Sequence, residues 1–238
     1  MNIQQQISLA GHDFVDFGCS TGGSMEFAIN KLGGTRGLGL DIDPRKVAAS
    51  QGRGFAAFQA DATSLDPKRL GTVRFAVMAH FLEHLPNVDV AAKAIRAAVA
   101  VSNEFVFIRQ PFFDSDQYLK ALGLKLYWAD WHGHKNHMRT SDFRVVLDDL
   151  LHRRKIRRYV LFYRTRIVDS DDPCVHPLSS PKDQQGWDAI RHPSKPFYKF
   201  GVDVFREVGA LIHTRDRKLS EPPRRFLLRC QTVYDSAA

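Results

Sequence analysis

Asp16-Phe17-Gly18-Cys19-Ser20-Thr21-Gly22-Gly23-Ser24 is the stretch on which the reading of this chain turns. It follows a short apolar run, Asp13 to Phe17, and precedes a helical stretch that includes Met25 to Leu32. At a strand-to-helix junction of this kind, glycine lets the chain turn sharply and lets a ligand come close to the backbone. The helix N-terminus there offers unpaired N–H groups. Gly18 and Gly22 meet that need, and Ser20 stands where a dinucleotide fingerprint has its second glycine. Taken alone, the stretch also fits an ordinary strand-to-helix turn.

Downstream, the next apolar run ends in Gly39-Leu40-Asp41-Ile42-Asp43-Pro44, where Asp41 is placed to accept both hydroxyl hydrogens of a ribose. The third run closes on Ala60-Asp61-Ala62, and Asp61 can accept from an adenine amino group. Three glycine-rich or acidic strand ends in register mark the carboxyl edge of a parallel sheet, the usual ligand crevice of open α/β folds.

The rest of the chain supports that architecture. Strand-length runs at Asp13 to Phe17, Gly37 to Asp41, Ala56 to Ala60, Arg74 to Ala79 and Phe105 to Ile108 alternate with amphipathic stretches. Val88, Ala91, Ala92, Ile95 and Val99 form one helical stripe, and Phe143, Val146, Leu147, Leu150 and Leu151 form another, with Ser141 as its expected N-cap. Tyr159 to Val168, Phe205 to His213 and Arg225 to Tyr234 read as further strands. The expectation is a single domain over residues 1–238: an α/β, Rossmann-like fold with a seven-stranded, mostly parallel sheet and helices on both faces. Between the last strands, Asp169 to Lys199 contains five prolines and reads as an irregular segment, an ordered lid anchored by Trp187, Phe197 and Tyr198.

Composition narrows the function classes. Three widely spaced cysteines, with no CxxC pair, suit a reducing cytoplasm, and no run approaches the roughly 18 apolar residues of a membrane span. A cytoplasmic protein is expected. The net charge is +8, and its whole surplus lies beyond Leu150, where 18 Lys+Arg face 10 Asp+Glu. Such an excess attracts a nucleic acid, an acidic membrane surface or an anionic small molecule, or is simply a solvated face.

Together the motifs resemble a family. DFGCSTGGS, GLDIDP, QADA and FAVMAHFLEHLP look like the successive motifs of the class I S-adenosylmethionine (SAM) dependent methyltransferases, over about residues 13–112. The run after strand four favours this family over a nicotinamide enzyme, which would also want the glycine turn and Asp41. The resemblance implies SAM as cofactor, with Asp16, Gly18, Ser20 and Gly22 around the methionine moiety, Asp41 at the ribose and Asp61 at the adenine. Cys19, Ile42 and Ala62 belong to the same strand ends, and His80 would stand near the transferring methyl. Ser20 is a departure from the family's glycine. Only about twelve residues precede the first strand, so the helices that often cover the cofactor are expected to be short or absent.

The acceptor side is read from the segments beyond strand four. His84, just after that strand, is the candidate general base, with His80 closer to the cofactor; the Glu83-His84 pair alternatively caps the next helix. Trp128, Trp131, His132, His134 and His137 are the expected wall of the acceptor pocket, since flat rings stack on sugars and imidazoles supply hydrogen bonds. A metal is not expected. The histidine spacings of two and three do not share a helical face, and Asp130 is the sole acidic neighbour of suitable spacing. Arg191 and Lys195 in the lid are expected to hold an anionic group of the acceptor. His176 to Pro181 and Phe205-Arg206-Glu207 resemble methyltransferases found with bacterial glycan biosynthesis, which tilts the acceptor toward a small-molecule or glycan hydroxyl. RNA methylation and a non-catalytic SAM-binding subunit are the alternatives. The first lacks an RNA-binding module or an Asn/Asp-Pro-Pro-aromatic tetrad.

Overall fold

A computed structural model describes residues 7–215 and 220–237. Five strands run parallel: β1 (Phe14–Phe17), β2 (Gly37–Asp41), β3 (Ala56–Gln59), β4 (Val73–Ala79) and β5 (Ser102–Pro111). Three more extend the sheet beyond β5: β7 (Arg158–Asp169), β9 (Lys199–His213) and β10 (Gln231–Asp235), each antiparallel to its neighbour. The order is β10-β7-β9-β5-β4-β1-β2-β3. The sheet thus has eight strands rather than seven. The stretch Arg225 to Tyr234, expected to be one strand, divides into helix α7 (Glu221–Leu227) and the short β10. Pro222 and Pro223 sit at the start of α7, where a missing N–H costs nothing and the fixed φ suits a helix.

Alternation along the strands separates two apolar layers. On one face, Val15, Phe17, Ala76, Met78, Val106 and Ile108 pack with α3 (Pro67–Leu70), α4 (Val88–Val101) and α6 (Thr140–His152). On the other, Phe14, Phe75 and Phe105 stack in succession across β1, β4 and β5, and this face takes α1 (Gly23–Leu32), α2 (Pro44–Gly52) and α7. Helix α6 begins one residue before the expected cap Ser141. Asp142 accepts the Arg139 N–H at 2.8 Å and Asp114 accepts that of Thr140 at 3.1 Å, so carboxylates cap the first turn instead.

A third apolar cluster lies apart from these layers. Helix α5 (Asp116–Ala121), β6 (Leu124–Leu126) and β8 (Val175–Pro177) bring together Leu119, Leu124, Leu126, Trp128 and Val175 against Ile167 of β7 and Val204 of β9. Strands β6 and β8 pair antiparallel, so the segment after β7, expected to hold no regular element, contributes a three-residue strand. Lys125 of β6 is buried, and its ammonium donates to Asp130 Oδ2 at 2.7 Å and to the carbonyls of Leu178 and Ser180 at 3.2 and 2.7 Å. All three donors of the charged head are satisfied. The cap formed by the two insertions lies at the end of the sheet where β5 and β7 finish and β9 begins. That is the carboxyl edge of the parallel strands.

Candidate active site

β2 and β3 lie on one side of β1, and β4 and β5 on the other. The crossovers leave β1 in opposite directions there, which opens a crevice at the strand ends. A cleft of about 480 Å³ occupies it, lined among others by Gly18, Ser20, Asp41, Ile42, Asp61, Ala62, His80, Phe81 and His84. Gly18 has φ +78°, and a Cβ there would lie 2.3 Å from the Phe81 ring, so the turn needs glycine for both its conformation and its closeness to the next loop. Ser20 and His80 face the same cleft with φ of 49° and 55°, a conformation that costs a side chain energy and that concentrates at binding sites.

Asp41 is buried, and its two oxygens each accept a backbone N–H at 2.9 Å, one from Ser20 and one from Asp43. It therefore ties the glycine turn to the end of β2 and retains lone pairs toward the cleft. Asp61 accepts from the N–H and hydroxyl of Thr63 at 2.8 and 2.7 Å. Asp16 lies behind the cleft wall, wholly buried and hydrogen-bonded by the Ser24 hydroxyl; burial, with the nearby charge of Asp41, pushes its carboxyl up to about 7. Cys19 and Gly22 also stand off the cleft. The Cys19 thiol packs against Gly39 in the core, and Gly22, at φ 91°, starts α1 with Phe55 where a Cβ would be.

A second cleft, about 640 Å³, opens under the cap and shares His80 and His84 with the first. Tyr127, Trp128, Trp131 and His134 form its aromatic wall, so three of the five residues expected there line it. His132 instead points outward to Asp183, and His137 stacks on Phe113 at 4.3 Å and faces Asp116. Neither Arg191 nor Lys195 reaches either cleft wall. Arg191 pairs with Asp188, while Lys195 donates to the carbonyls of Asp172 and Val175 at 3.0 and 2.9 Å and lies over the Trp187 ring. Trp187 does anchor its segment, donating to Pro193 O at 3.0 Å, whereas Phe197 and Tyr198 are exposed.

The opposite wall carries charges that include Arg206 and Glu207 of the Phe205-Arg206-Glu207 motif, for which the motif suggested no place at the site. Glu207 of β9 accepts from His80 Nε2 at 3.0 Å and Arg164 Nη1 at 2.7 Å, with Arg109 at 3.6 Å. Burial opposes its ionisation, but the hydrogen bond from His80, the charges of Arg109 and His80 and the hydrogen bond from Arg164 outweigh it and hold the carboxyl down to about 2. For His80, burial disfavours the cation, yet the carboxylates of Glu207 and Glu83 raise it to about 9. His80 is accordingly an imidazolium at neutral pH and has no lone pair to act as a base. His84 differs: its Nδ1 lies 2.9 Å from the Gly133 carbonyl, which can only accept, so the proton is on Nδ1 and Nε2 is free. Arg206, paired with Asp172 at 3.0 Å, completes the basic side of this cleft.

Comparison with known proteins agrees with this geometry. A family model described as a methyltransferase domain matches residues 5–150. The ribosomal protein L11 methyltransferase of Serratia proteamaculans is 44% identical over 45 residues, 19% of this chain, and its counterpart in Edwardsiella ictaluri matches to the same extent. That stretch spans only 15% of the length of either relative. Among solved structures, a SAM-dependent methyltransferase from Archaeoglobus fulgidus superposes with a TM-score of 0.56 at 15% identity, covering 84% of this chain and 85% of that one. The YcgJ protein of Bacillus subtilis superposes with a TM-score of 0.54 at 12% identity, over 90% and 95% of the two chains. With the glycine turn, the acidic strand ends and the parallel sheet in place, the chain belongs to the class I SAM-dependent methyltransferases.

Proposed function

We propose that this enzyme transfers the methyl group of SAM to a hydroxyl of a small polar acceptor, a sugar or a glycan fragment, held in the cleft under the cap. The observation that carries this is the shared wall: His80 and His84 border both clefts, so a methyl group presented from one faces an acceptor in the other. The cap cleft, at about 640 Å³, has the size of small-molecule sites, about 300–1,000 Å³. Its wall combines aromatic rings with hydrogen-bonding charges, which is how proteins hold sugars.

The sulfonium supplies an electrophilic methyl, and the chain's own residues chiefly align the acceptor with it. Asp41 and Asp61 fix the nucleoside along the strand ends. Tyr127, Trp128 and Trp131 stack on the acceptor, Arg164 and Arg206 hydrogen-bond its oxygens, and His84 stands beside the reacting hydroxyl. His80, already a cation, holds the β4 end against Glu207. Of the 18 Lys and Arg in the basic C-terminal third, Arg158, Arg164, Arg166, Arg191, Arg206 and Arg225 are each paired with a carboxylate, so a free cation for an anionic acceptor has to come from the others.

Incubating the enzyme with SAM and a panel of monosaccharides, nucleotide sugars and glycan fragments, while following S-adenosylhomocysteine release, tests this. Turnover is expected on a hydroxylated acceptor, and Trp131→Ala should raise the acceptor KM at least tenfold with SAM affinity unchanged. Turnover on RNA alone, or a Trp131→Ala enzyme with the parent's acceptor KM, would refute it.

A further inference from the structure

Under the cap, where the two clefts meet, the histidine spacings along the chain gave no reason to expect a metal. Yet Glu83, His84 and His134 each offer one donor atom, and the three atoms lie within 4.8 Å of one another. Two donors bound about 2.1 Å from one ion lie up to ~4.2 Å apart, so small side-chain rotations close the set. Among the described residues this is the one group of three so arranged.

The protonation pattern around it is that of a prepared site. His134 Nδ1 is 2.8 Å from the Trp128 carbonyl and His84 Nδ1 is 2.9 Å from that of Gly133. Both carbonyls are acceptors only, so both protons sit on Nδ1 and both Nε2 lone pairs are free. A backbone carbonyl that fixes the tautomer is the usual outer-shell partner of a metal-binding histidine. Glu83 is 1% exposed, and neither of its carboxylate oxygens has a hydrogen-bond partner; His80 Nδ1 is an ionic neighbour at 3.4 Å without hydrogen-bond geometry. Beside the His80 cation, this buried carboxylate keeps lone pairs that a cation could take up. The scaffold is rigid as well. The Glu83 carbonyl accepts the N–H groups of Lys135 and Asn136 at 2.9 and 3.1 Å, and the buried Asn136 amide donates to Leu82 O at 3.1 Å. These bonds staple the two ligand-bearing segments together without help from an ion.

We propose that Glu83, His84 and His134 bind one divalent transition-metal cation, of the zinc or manganese kind, with its open coordination positions facing the acceptor cleft. Two imidazoles and one carboxylate suit such an ion better than Mg²⁺ or Ca²⁺, which prefer oxygen ligands. All three residues line the cap cleft, and His84 also borders the cofactor cleft, so the ion stands beside the point of transfer. There it would polarise the acceptor hydroxyl. The ion's role toward the acceptor rests on the methyl-transfer reading above; its binding does not.

The test is calorimetric titration of EDTA-stripped, tag-free full-length chain with ZnCl₂ and MnCl₂, with Co²⁺ as a spectroscopic probe. One equivalent of Zn²⁺ or Mn²⁺ per chain is expected, together with a visible Co²⁺ absorption band. His134→Ala, His84→Ala and Glu83→Gln should each weaken binding at least tenfold and abolish that band. SAM affinity of His134→Ala should stay within twofold of the parent, and a cooperative melt confirms that each variant is folded. If Glu83→Gln fails to fold, the more exposed His84 and His134 carry the test. Absence of saturable binding by all three ions overturns the proposal, as does parent-like binding by the folded histidine variants. Ion binding without turnover on any hydroxyl acceptor would leave the site standing and sink the acceptor reading. Turnover by a chain that binds no ion would do the reverse.

Discussion

Removing the Asp41 carboxylate should separate cofactor recognition from folding. Each oxygen already accepts one backbone N–H at 2.9 Å, from Ser20 and Asp43, and each keeps acceptor capacity toward the cleft. Two ribose hydroxyls would then make two charge-assisted hydrogen bonds, about 1.5–3 kcal/mol apiece. Water entering the vacated space in Asp41→Ala returns about half of that, leaving a loss of about 1.5–3 kcal/mol, or roughly a ten- to hundred-fold rise in Kd. The Ser20 and Asp43 N–H groups also lose their acceptor, which lowers Tm with and without ligand and so largely cancels in the binding comparison. Isothermal calorimetry with SAM and S-adenosylhomocysteine measures the change. A double cycle sharpens it: the 2′-deoxy analogue of S-adenosylhomocysteine should bind the parent more weakly than the normal compound, and the two should bind Asp41→Ala about equally. A cooperatively folded Asp41→Ala protein that binds SAM within threefold of the parent would refute the placement of the ribose.

Two further outcomes are expected at the same site. His80 is raised from an ordinary value of 6.5 to about 9, so its contribution to stability is complete below about pH 6.5 and fades as pH rises through 9; Glu207 is lowered from 4.5 to about 2, so its contribution is complete above about pH 4.5 and fades as pH falls toward 2. Tm should therefore be highest near pH 4.5–6.5 as far as this pair is concerned, and Glu207→Gln should lower Tm by several degrees and flatten its alkaline decline; an alkaline limb unchanged by that substitution would exclude the pair as its cause. Gly18→Ala forces a Cβ to within 2.3 Å of Phe81 at a positive φ, and should cost about 1–3 kcal/mol of stability along with SAM affinity, measured by chemical denaturation and calorimetry; a variant as stable as the parent would show that the turn relaxes freely.

The cofactor half of the molecule was legible in the sequence because its determinants are local. A turn, a helix start and two acidic strand ends lie within about 50 residues, and each is tied to its own strand by chain connectivity. The residues Asp16, Cys19 and Gly22 belong to that motif yet do not line the cleft: Asp16 is wholly buried behind its wall, Cys19 packs in the core and Gly22 opens α1. The cleft under the cap was legible only where residues cluster along the chain, at Trp128, Trp131 and His134. Its other wall comes from Arg164 of β7 and from Arg206 and Glu207 of β9, which sequence distance separates and only antiparallel pairing unites. The basic surplus was visible as a count, but pairing decides its meaning, and pairing is a property of the fold. Glu83 and His134 give no joint signal along the chain for the same reason: 50 residues lie between them, and two backbone hydrogen bonds close the gap.

The cap has a consequence for how specificity can change in such an enzyme. Its apolar cluster is separate from both layers of the sheet, but it is contributed by two insertions that complete one another. β6 from the first pairs with β8 from the second, and the ammonium of Lys125 in the first is satisfied by carbonyls of the second. Exchanging one insertion for that of a relative would strip β6 or β8 of its partner, and exchanging the second alone would leave the buried Lys125 ammonium with Asp130 but without its two carbonyl acceptors, a destabilising loss. Exchanged as a pair, residues 112–139 and 170–198 could be replaced with the sheet and the glycine turn untouched. A lineage that acquires a new acceptor is thus constrained to vary two distant stretches of its gene in concert, while the strand ends that hold the cofactor stay as they are.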